Sequence, residues 1–195
     1  VVESLVVATG GLSIPSMGAT GFGYDLARQF GHAVLPTRDG LVPLTLSGKH
    51  QEHYADLAGV AFPVEARCGK ASFRNAMLVT HRGLSGPAIL QISSYWEPGK
   101  ELLLDLLPER DIQAWLLERQ AAKPAAELKT VLAEAFPQRF AQRLCEVWFP
   151  NKPMRQYTHN ELPAIARLLA HWPIVASGTE GYRTAEVTLG GVDTD

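Results

Sequence analysis

The chain has little cysteine: two residues among 195, Cys68 and Cys145. They form no CxxC pair, which excludes a zinc ribbon or a thioredoxin-like redox motif. The reading is two reduced, buried thiols in a cytoplasmic protein, with a disulfide as the alternative. No apolar run approaches the ~18–20 residues of a membrane-spanning helix, so no membrane segment is expected. Charge of one sign is scarce as well. Eighteen basic and 20 acidic residues leave a net charge of −2, and no block of consecutive basic residues occurs. Such a chain offers no strong field to a phosphate backbone, and a nucleic-acid partner is not expected.

Other absences narrow the function. Val1-Val-Glu-Ser4 has neither a basic n-region nor a cleavage site, so it is not read as a signal peptide. It also lacks an initiator Met, and both ends read as boundaries of a fragment. There is no internal repeat, Walker loop, nucleophile elbow or Ser-His-Asp order. His32, His50, His53, His159 and His171 show no ligand spacing with Cys or carboxylates, so no metal site is expected.

What is there is apolar enough, at 46%, to bury a real core. The run Leu5 to Ala8 reads as a buried strand that stops in Thr9-Gly10-Gly11. About ten residues later Thr20-Gly21 and Gly23 open a short helix, Tyr24 to Phe30, with Gly31 just past its end. Four short β-forming runs follow: 41–46, 60–66, 73–80 and 102–107. Gly, Asp, Ser and Lys clusters separate them, the pattern of an antiparallel sheet or small barrel. Pro43 and Pro63 push their strands toward edges or bulges. Pro87 to Trp96 interrupts the strands with a helix.

Apolar spacing then predicts four helices between 109 and 172. Ile112, Trp115 and Leu116 mark the first. Leu128 to Phe136 mark the second, with Pro124 at its start. Phe140 to Trp148 mark the third, after Pro137. Leu162 to Trp172 mark the fourth, which Pro173 stops and for which Asn160 is preferred to Thr158 as N-cap because Pro163 then falls in the first turn. Trp115, Trp148 and Trp172 read as core. Val187 to Leu189 is a last strand expected to pair back with the sheet.

The expected fold is α+β: an antiparallel sheet or flattened small barrel with an inserted helical subdomain, plus a short α/β piece at the N-terminus. The pieces divide as 1–32, a β-rich domain of 33–108 and 173–190, a helical insertion of 109–172, and 191–195.

Residue chemistry leaves two readings open at each candidate site. Thr9, Gly10 and Gly11 fit either close backbone approach to a ligand or a tight strand exit needing positive φ. Gly18 to Gly23 is a weak dinucleotide fingerprint, because no strand leads directly into it. At Thr80 to Pro87, a strand end delivers His81 and Arg82, Ser85 is placed to cap, and Pro87 begins a helix. That is either a site for proton exchange and anion binding or a strand-to-helix corner.

Three blocks add a resemblance. Ala8-Thr-Gly-Gly11 with Thr20-Gly-x-Gly-Tyr-x-x-Ala-x-x-x-Gly-His32, Thr80-His-Arg-Gly-Leu-Ser-Gly-Pro-Ala-Ile-Leu90, and Val187-Thr-Leu-Gly-Gly-Val192 occur in family order, with Leu41-Val-Pro-Leu44 between the first two. The chain resembles flavoproteins of the glutathione-reductase-like superclass, among them a bacterial family of BaiN-like NAD(P)/FAD-dependent oxidoreductases. The resemblance implies an FAD-dependent oxidoreductase with a small-molecule substrate, reduced by NAD(P)H. It implies cofactor contacts at Ala8, Thr9, Gly10, Gly11, Thr20, Gly21, Gly190 and Gly191, and polar or catalytic contacts at His81 and Arg82. The family's amino-terminal GxGxxG unit and carboxy-terminal glycine-rich segment are absent here. The chain then reads as the middle of such a protein, partnered by the remainder of its own FAD-binding domain and inactive alone. A different expectation is an interaction module, with the helices of 109–172 docking a partner or a second copy.

Overall fold

The computed structural model describes residues 2–194. Val1 and Asp195, the outer ends of the 1–32 and 191–195 pieces, lie outside them. After an irregular segment and a 3-10 turn at Pro15–Met17 come α1 (Phe22–Gln29), β1 (Val34–Gly40), β2 (Leu44–Thr45) and α2 (Gly48–Tyr54). Then follow β3 (Ala61–Cys68), β4 (Ala71–Val79), β5 (Gly83–Ser85), α3 (Pro87–Ser93) and β6 (Leu102–Asp105). Four helices come next: α4 (Ile112–Ala122), α5 (Leu128–Leu132), α6 (Gln138–Val147) and α7 (Glu161–Ala170). The chain closes with β7 (Trp172–Ile174), β8 (Gly178–Thr179) and β9 (Val187–Val192).

Seven strands form one antiparallel sheet in the order β7-β6-β3-β4-β5-β2-β8. Its centre is the β3–β4 hairpin, where Phe62, Val64, Ala66 and Cys68 point to the core on alternate positions. The two edge strands, β7 and β8, are joined by only three residues, 175–177. A link of that length reaches at most ~14 Å between strand ends, so the sheet must curl toward itself as an unclosed barrel. Helix α3 packs on β3, β4 and β5 with Ala88, Ile89 and Ile92 fully buried. The α+β expectation is met in this form.

The helices α4 to α7 leave the sheet after β6 and return at β7, and these two strands pair directly, Leu104 opposite Trp172. Helices and sheet share one apolar core. Phe62 of β3 packs edge-on to Phe136 and tilted against Phe140, at ring distances of 5.5 and 4.7 Å. Asn160 takes the N-cap position of α7 and Pro163 falls in its first turn. The Asn160 side chain makes no cap bond. Instead the Glu161 carboxylate accepts the Thr158 N–H at 2.8 Å. Trp115 and Trp172 are buried and both cysteines are free thiols, Cys68 buried and Cys145 half-buried.

Several expectations fail, each for a physical reason. The run Leu5 to Ala8 forms no strand and is exposed, Leu5 to 74% and Val6 to 85%, because no described strand lies beside it to pair. Helix α1 starts two residues earlier than expected and ends at Gln29. Residues 34–40, Pro-, Asp- and Gly-containing, are a strand, and β9 pairs with this β1 in a separate two-stranded ribbon rather than with the main sheet. Of 41–46 only Leu44–Thr45 pairs as strand, since Leu41 has φ +46° and the Val42 N–H donates to the Ser93 hydroxyl at 3.0 Å.

Pro63 sits in a central strand, yet β6 reaches only Glu65 to Arg67, so the ladder is open beside the proline. Helix α5 does not start near Pro124. There the backbone pairs laterally, Met154 N–H to Ala126 C=O and Arg155 N–H to Pro124 C=O, at 2.8 and 2.9 Å. Trp172 belongs to β7, not to the last helix, because Pro173 disfavours helical geometry at the residue before it. Ser85 does not cap α3, whose N-cap is Gly86 at φ +87°.

Candidate functional site

At one end of the molecule three glycine-bearing segments converge. The loop 9–14 lies against β9: Leu12 N–H donates to Thr188 Oγ1 at 2.7 Å, and the Ser13 and Thr188 hydroxyls are 3.1 Å apart. Ile14 N–H donates to the Tyr182 carbonyl at 2.7 Å. Space at the crossing is closed to side chains. A Cβ on Gly11 would lie 2.5 Å from Thr188 Oγ1, and one on Gly23 would collide with the Thr9 hydroxyl. Gly191, at φ +110°, faces the Tyr24 ring, which a Cβ would approach to 3.2 Å. Gly190, at φ +78°, stands against the Pro36 carbonyl at the irregularity between Leu35 and Arg38 of β1.

Beside the crossing is a cleft of 590 Å³, formed by Ala8, Thr9 and Gly10 on one wall and Tyr24, Ala27 and Phe30 of the α1 region on the other, with Val192 from β9; Gly11, Gly190 and Gly191 are not among its lining residues. Thr20 and Gly21 stand outside the cleft. The Thr20 hydroxyl accepts the Phe22 N–H at 3.4 Å and Gly21 is the N-cap of α1. Among the described residues, three of five buried side-chain polar atoms without a hydrogen-bond partner, Asp39 Oδ2, Tyr182 OH and Thr184 Oγ1, lie on the same ribbon and the loop leading into it, though none of these residues lines the cleft. Large exposed apolar side chains also gather here: Leu5, Val6, Phe30, Leu35 and Val192. A cleft walled by apolar side chains, with Thr9, Gly10 and Gly23 at one edge, fits a large, flat cofactor.

His81 and Arg82 are elsewhere. They form the exposed turn between β4 and β5, and among the described residues their hydrogen bonds run through their backbone atoms rather than their side chains. The Arg82 carbonyl accepts the Leu46 N–H at 2.9 Å, and the His81 carbonyl accepts from Gln51 Nε2 at 3.4 Å. Thr80 Oγ1 accepts the Gly83 N–H at 3.1 Å and shapes the corner. This turn adjoins the Leu46 end of the β2 segment, whereas the opposite end, at Leu41 and Val42, is the one bonded to Ser94 and Ser93 near β1. No hydrogen bond or shared cleft joins His81 or Arg82 to the glycine rim among the described residues.

Beside that turn lies a feature the sequence did not disclose. His53 of α2 stands edge-on to Trp148 at 5.2 Å, and Trp148 edge-on to Trp172 at 4.8 Å. They line a 150 Å³ cleft with His50 and Tyr54. Trp172 Nε1 donates to the Tyr54 hydroxyl at 2.7 Å, and burial pushes the Tyr54 pKa up to about 12, offset in part by that bond. The sequence spacing marks Trp148 and Trp172 as core, which describes Trp172 but only half of Trp148.

No helix among the described residues is long and apolar enough to cross a membrane, and no three His, Cys, Asp or Glu side chains among them are grouped to hold a metal ion. An antiparallel, unclosed barrel carrying an inserted set of helices defines a mixed α+β domain of barrel-and-helix type. The family described as "HI0933-like protein barrel and H2TH domain" matches residues 38–187, and the chain belongs to this family. It is 50% identical over 196 residues to the ribosomal RNA dihydrouridine synthase of Escherichia coli, covering 99% of this chain and 49% of that protein. It is 42% identical over 199 residues to the protein of that name in Haemophilus influenzae, covering 98% of this chain and 48% of that protein. It is 29% identical over 208 residues to the 3-dehydro-bile acid delta(4,6)-reductase of Clostridium scindens, covering 98% of this chain and 50% of that one. All three names denote enzymes, and the chain spans about half the length of these curated relatives.

Proposed function

We propose that the whole protein is an FAD-dependent oxidoreductase that reduces uridine in ribosomal RNA, and that this chain supplies its barrel, its helices and half of the flavin cradle. The observation that carries the reading is the cleft between Ala8, Thr9 and Gly10 on one side and Gly23, Tyr24 and Ala27 on the other, with Gly11, Gly190 and Gly191 packed beside it where a Cβ would collide with neighbouring atoms. The names of the relatives support the reaction class. Dihydrouridine formation and delta(4,6) reduction both saturate a carbon–carbon double bond conjugated to a carbonyl. Each needs one hydride, one proton and a water-poor site.

Bound flavin would supply the hydride, with NADH or NADPH as its source. The chain's own part is positioning. Ala8, Thr9 and Gly10 present backbone to the cofactor's edge, and Gly11, Gly190 and Gly191 let the loop, β1, β9 and Tyr24 pack closely enough to support that edge. Thr188 and Tyr24 fix that spacing. Thr20 and Gly21 act indirectly, by starting α1. The exposed apolar side chains at Leu5, Val6 and Leu35 are then covered by the remainder of the FAD-binding domain. Little supports docking through the helices: of the large exposed apolar side chains, only Leu117 lies in 109–172.

The near-neutral charge speaks against a nucleic-acid partner, and the name shared by the 50% and 42% relatives speaks for one. We give the second more weight, since a substrate can be held by a few local contacts. The test is to purify the full-length protein, measure its visible flavin absorbance, and incubate it with NADPH or NADH and unmodified ribosomal RNA. Bound flavin with dihydrouridine formation is the expected result. A colourless protein without affinity for added FAD would sink the proposal.

A further inference from the structure

We propose that the face built by α2, the 80–82 turn and Trp148 docks a single-stranded segment of RNA, seating one splayed base on the His53–Trp148 pair and adjacent phosphates on Lys49 and Arg82. The proposal rests on the reading of the whole protein as an RNA-reducing enzyme, but concerns a surface separate from the glycine rim.

Three observations carry it. The first is the ring arrangement. Trp172 is buried and tied to Tyr54, which gives the cleft a fixed floor. Trp148 is half-buried and His53 stands against it at 5.2 Å, giving a partly open aromatic wall, with exposed His50 at the mouth. Unpaired RNA bases are held by stacking on aromatic and histidine rings, which is tolerant of base identity. The cleft, at 150 Å³, is far smaller than the 590 Å³ rim and suits one planar ring rather than a cofactor.

The second is charge. Lys49 and Arg82 are exposed and neither pairs with a carboxylate among the described residues. Asp56, the acid just past α2, is already engaged by Arg143 at 2.6 Å. Glu52 is the one acid on α2 itself. The third is contiguity. Leu46 lines the aromatic cleft and bonds the Arg82 carbonyl, and Gln51 bonds the His81 carbonyl. Base platform and cations therefore sit on one rigid corner. Phosphate contacts would set register and the rings would hold the base.

The test uses the full-length protein and a fluorescent, uridine-rich single-stranded oligoribonucleotide, with dissociation constants measured by anisotropy at several salt concentrations. His53→Ala weakens binding roughly tenfold, as loss of one stacked base does, and His53→Phe restores it. Lys49→Ala and Arg82→Ala each reduce the salt slope by about one. Flavin absorbance, measured in parallel, reports the rim separately. Unchanged affinity in all of these variants overturns the proposal while leaving the flavin reading standing. Equal losses in His53→Ala and His53→Phe overturn the stacking role. A wild-type protein that holds flavin yet binds no RNA overturns the proposal and the RNA substrate together.

Discussion

Thr188 Oγ1 accepts the backbone N–H of Leu12 at 2.7 Å, a bond that spans 176 residues of sequence. It ties the loop after Thr9–Gly11 to β9, and the rim depends on it. Thr188→Val keeps the shape but removes the acceptor, leaving a partly buried N–H unpaired. The expected loss is about 1–3 kcal/mol of stability, with less flavin retained per chain in the full-length protein. Thr188→Ser retains both. Denaturant midpoints and flavin absorbance check this; a valine variant as stable and as yellow as wild type would show that the bond does not hold the rim.

The glycines around that bond differ in what they forbid, so their alanine variants should rank. Gly10→Ala meets no atom within 4 Å and suffers only from φ +70°, a strain of roughly 1–2 kcal/mol. Gly11→Ala drives a Cβ to 2.5 Å from Thr188 Oγ1 and 2.6 Å from its Cβ. Gly190→Ala combines φ +78° with a collision against the Pro36 carbonyl, a backbone atom that has no rotamer to move to. Thermal midpoints should fall in the order Gly10, Gly11, Gly190, with Gly190→Ala lowest. A Gly190→Ala protein as stable as Gly10→Ala contradicts the geometry of the β1–β9 crossing.

How much of this was legible in the sequence depends on whether the signal was local. The β3 alternation of Phe62, Val64, Ala66 and Cys68 announces a half-buried strand, and the α7 start at Asn160 follows from where Pro163 is tolerated. β1 was hidden because Pro36, Asp39 and Gly40 are poor strand formers; its strand exists through pairing with β9, from the far end of the chain. Leu5 to Ala8 reads as a strand on apolarity alone, but burial takes a neighbour, and no described strand lies beside it. The glycine rim was visible as residue types, and its convergence was not. The His53–Trp148 wall joins residues from α2 and the end of α6, so no window of sequence contains it.

The buried pair Tyr54 and Trp172 gives a non-additive prediction. Tyr54→Phe leaves the indole N–H unpaired in a buried site, and Trp172→Phe removes the donor along with much ring volume. The first should cost about 1–3 kcal/mol and the second about 2–4 kcal/mol. The double variant should fall short of their sum by about 0.5–3 kcal/mol, because the second change removes a group the first had orphaned. Four urea-unfolding curves close the cycle; strict additivity would mean that the 2.7 Å bond contributes nothing.

Acid should weaken the fold through Glu65. Its carboxylate receives two bonds from Arg67, both at 3.0 Å, and one from Ser72 at 2.5 Å, all on the β3–β4 hairpin. The Arg67 bonds, then the Ser72 bond, hold its pKa down at about 2, against an ordinary value of 4.5. A carboxylate with a depressed folded-state pKa contributes stability that is whole above the unfolded pKa and is lost as pH falls toward the folded one. The window is therefore pH 4.5 down to about 2. Glu65→Gln cannot titrate, so the stability gap between wild type and variant should be constant from pH 7 to 5 and shrink as pH drops through 4 and 3. Glu161, held down at about 2 by Lys152 and the Thr158 N–H, acts in the same window at the head of α7. The Glu65→Gln, Glu161→Gln double variant should therefore show a shallower acid limb than either single change. A gap between wild type and Glu65→Gln that is as wide at pH 3 as at pH 7 would place the acid sensitivity of the fold elsewhere.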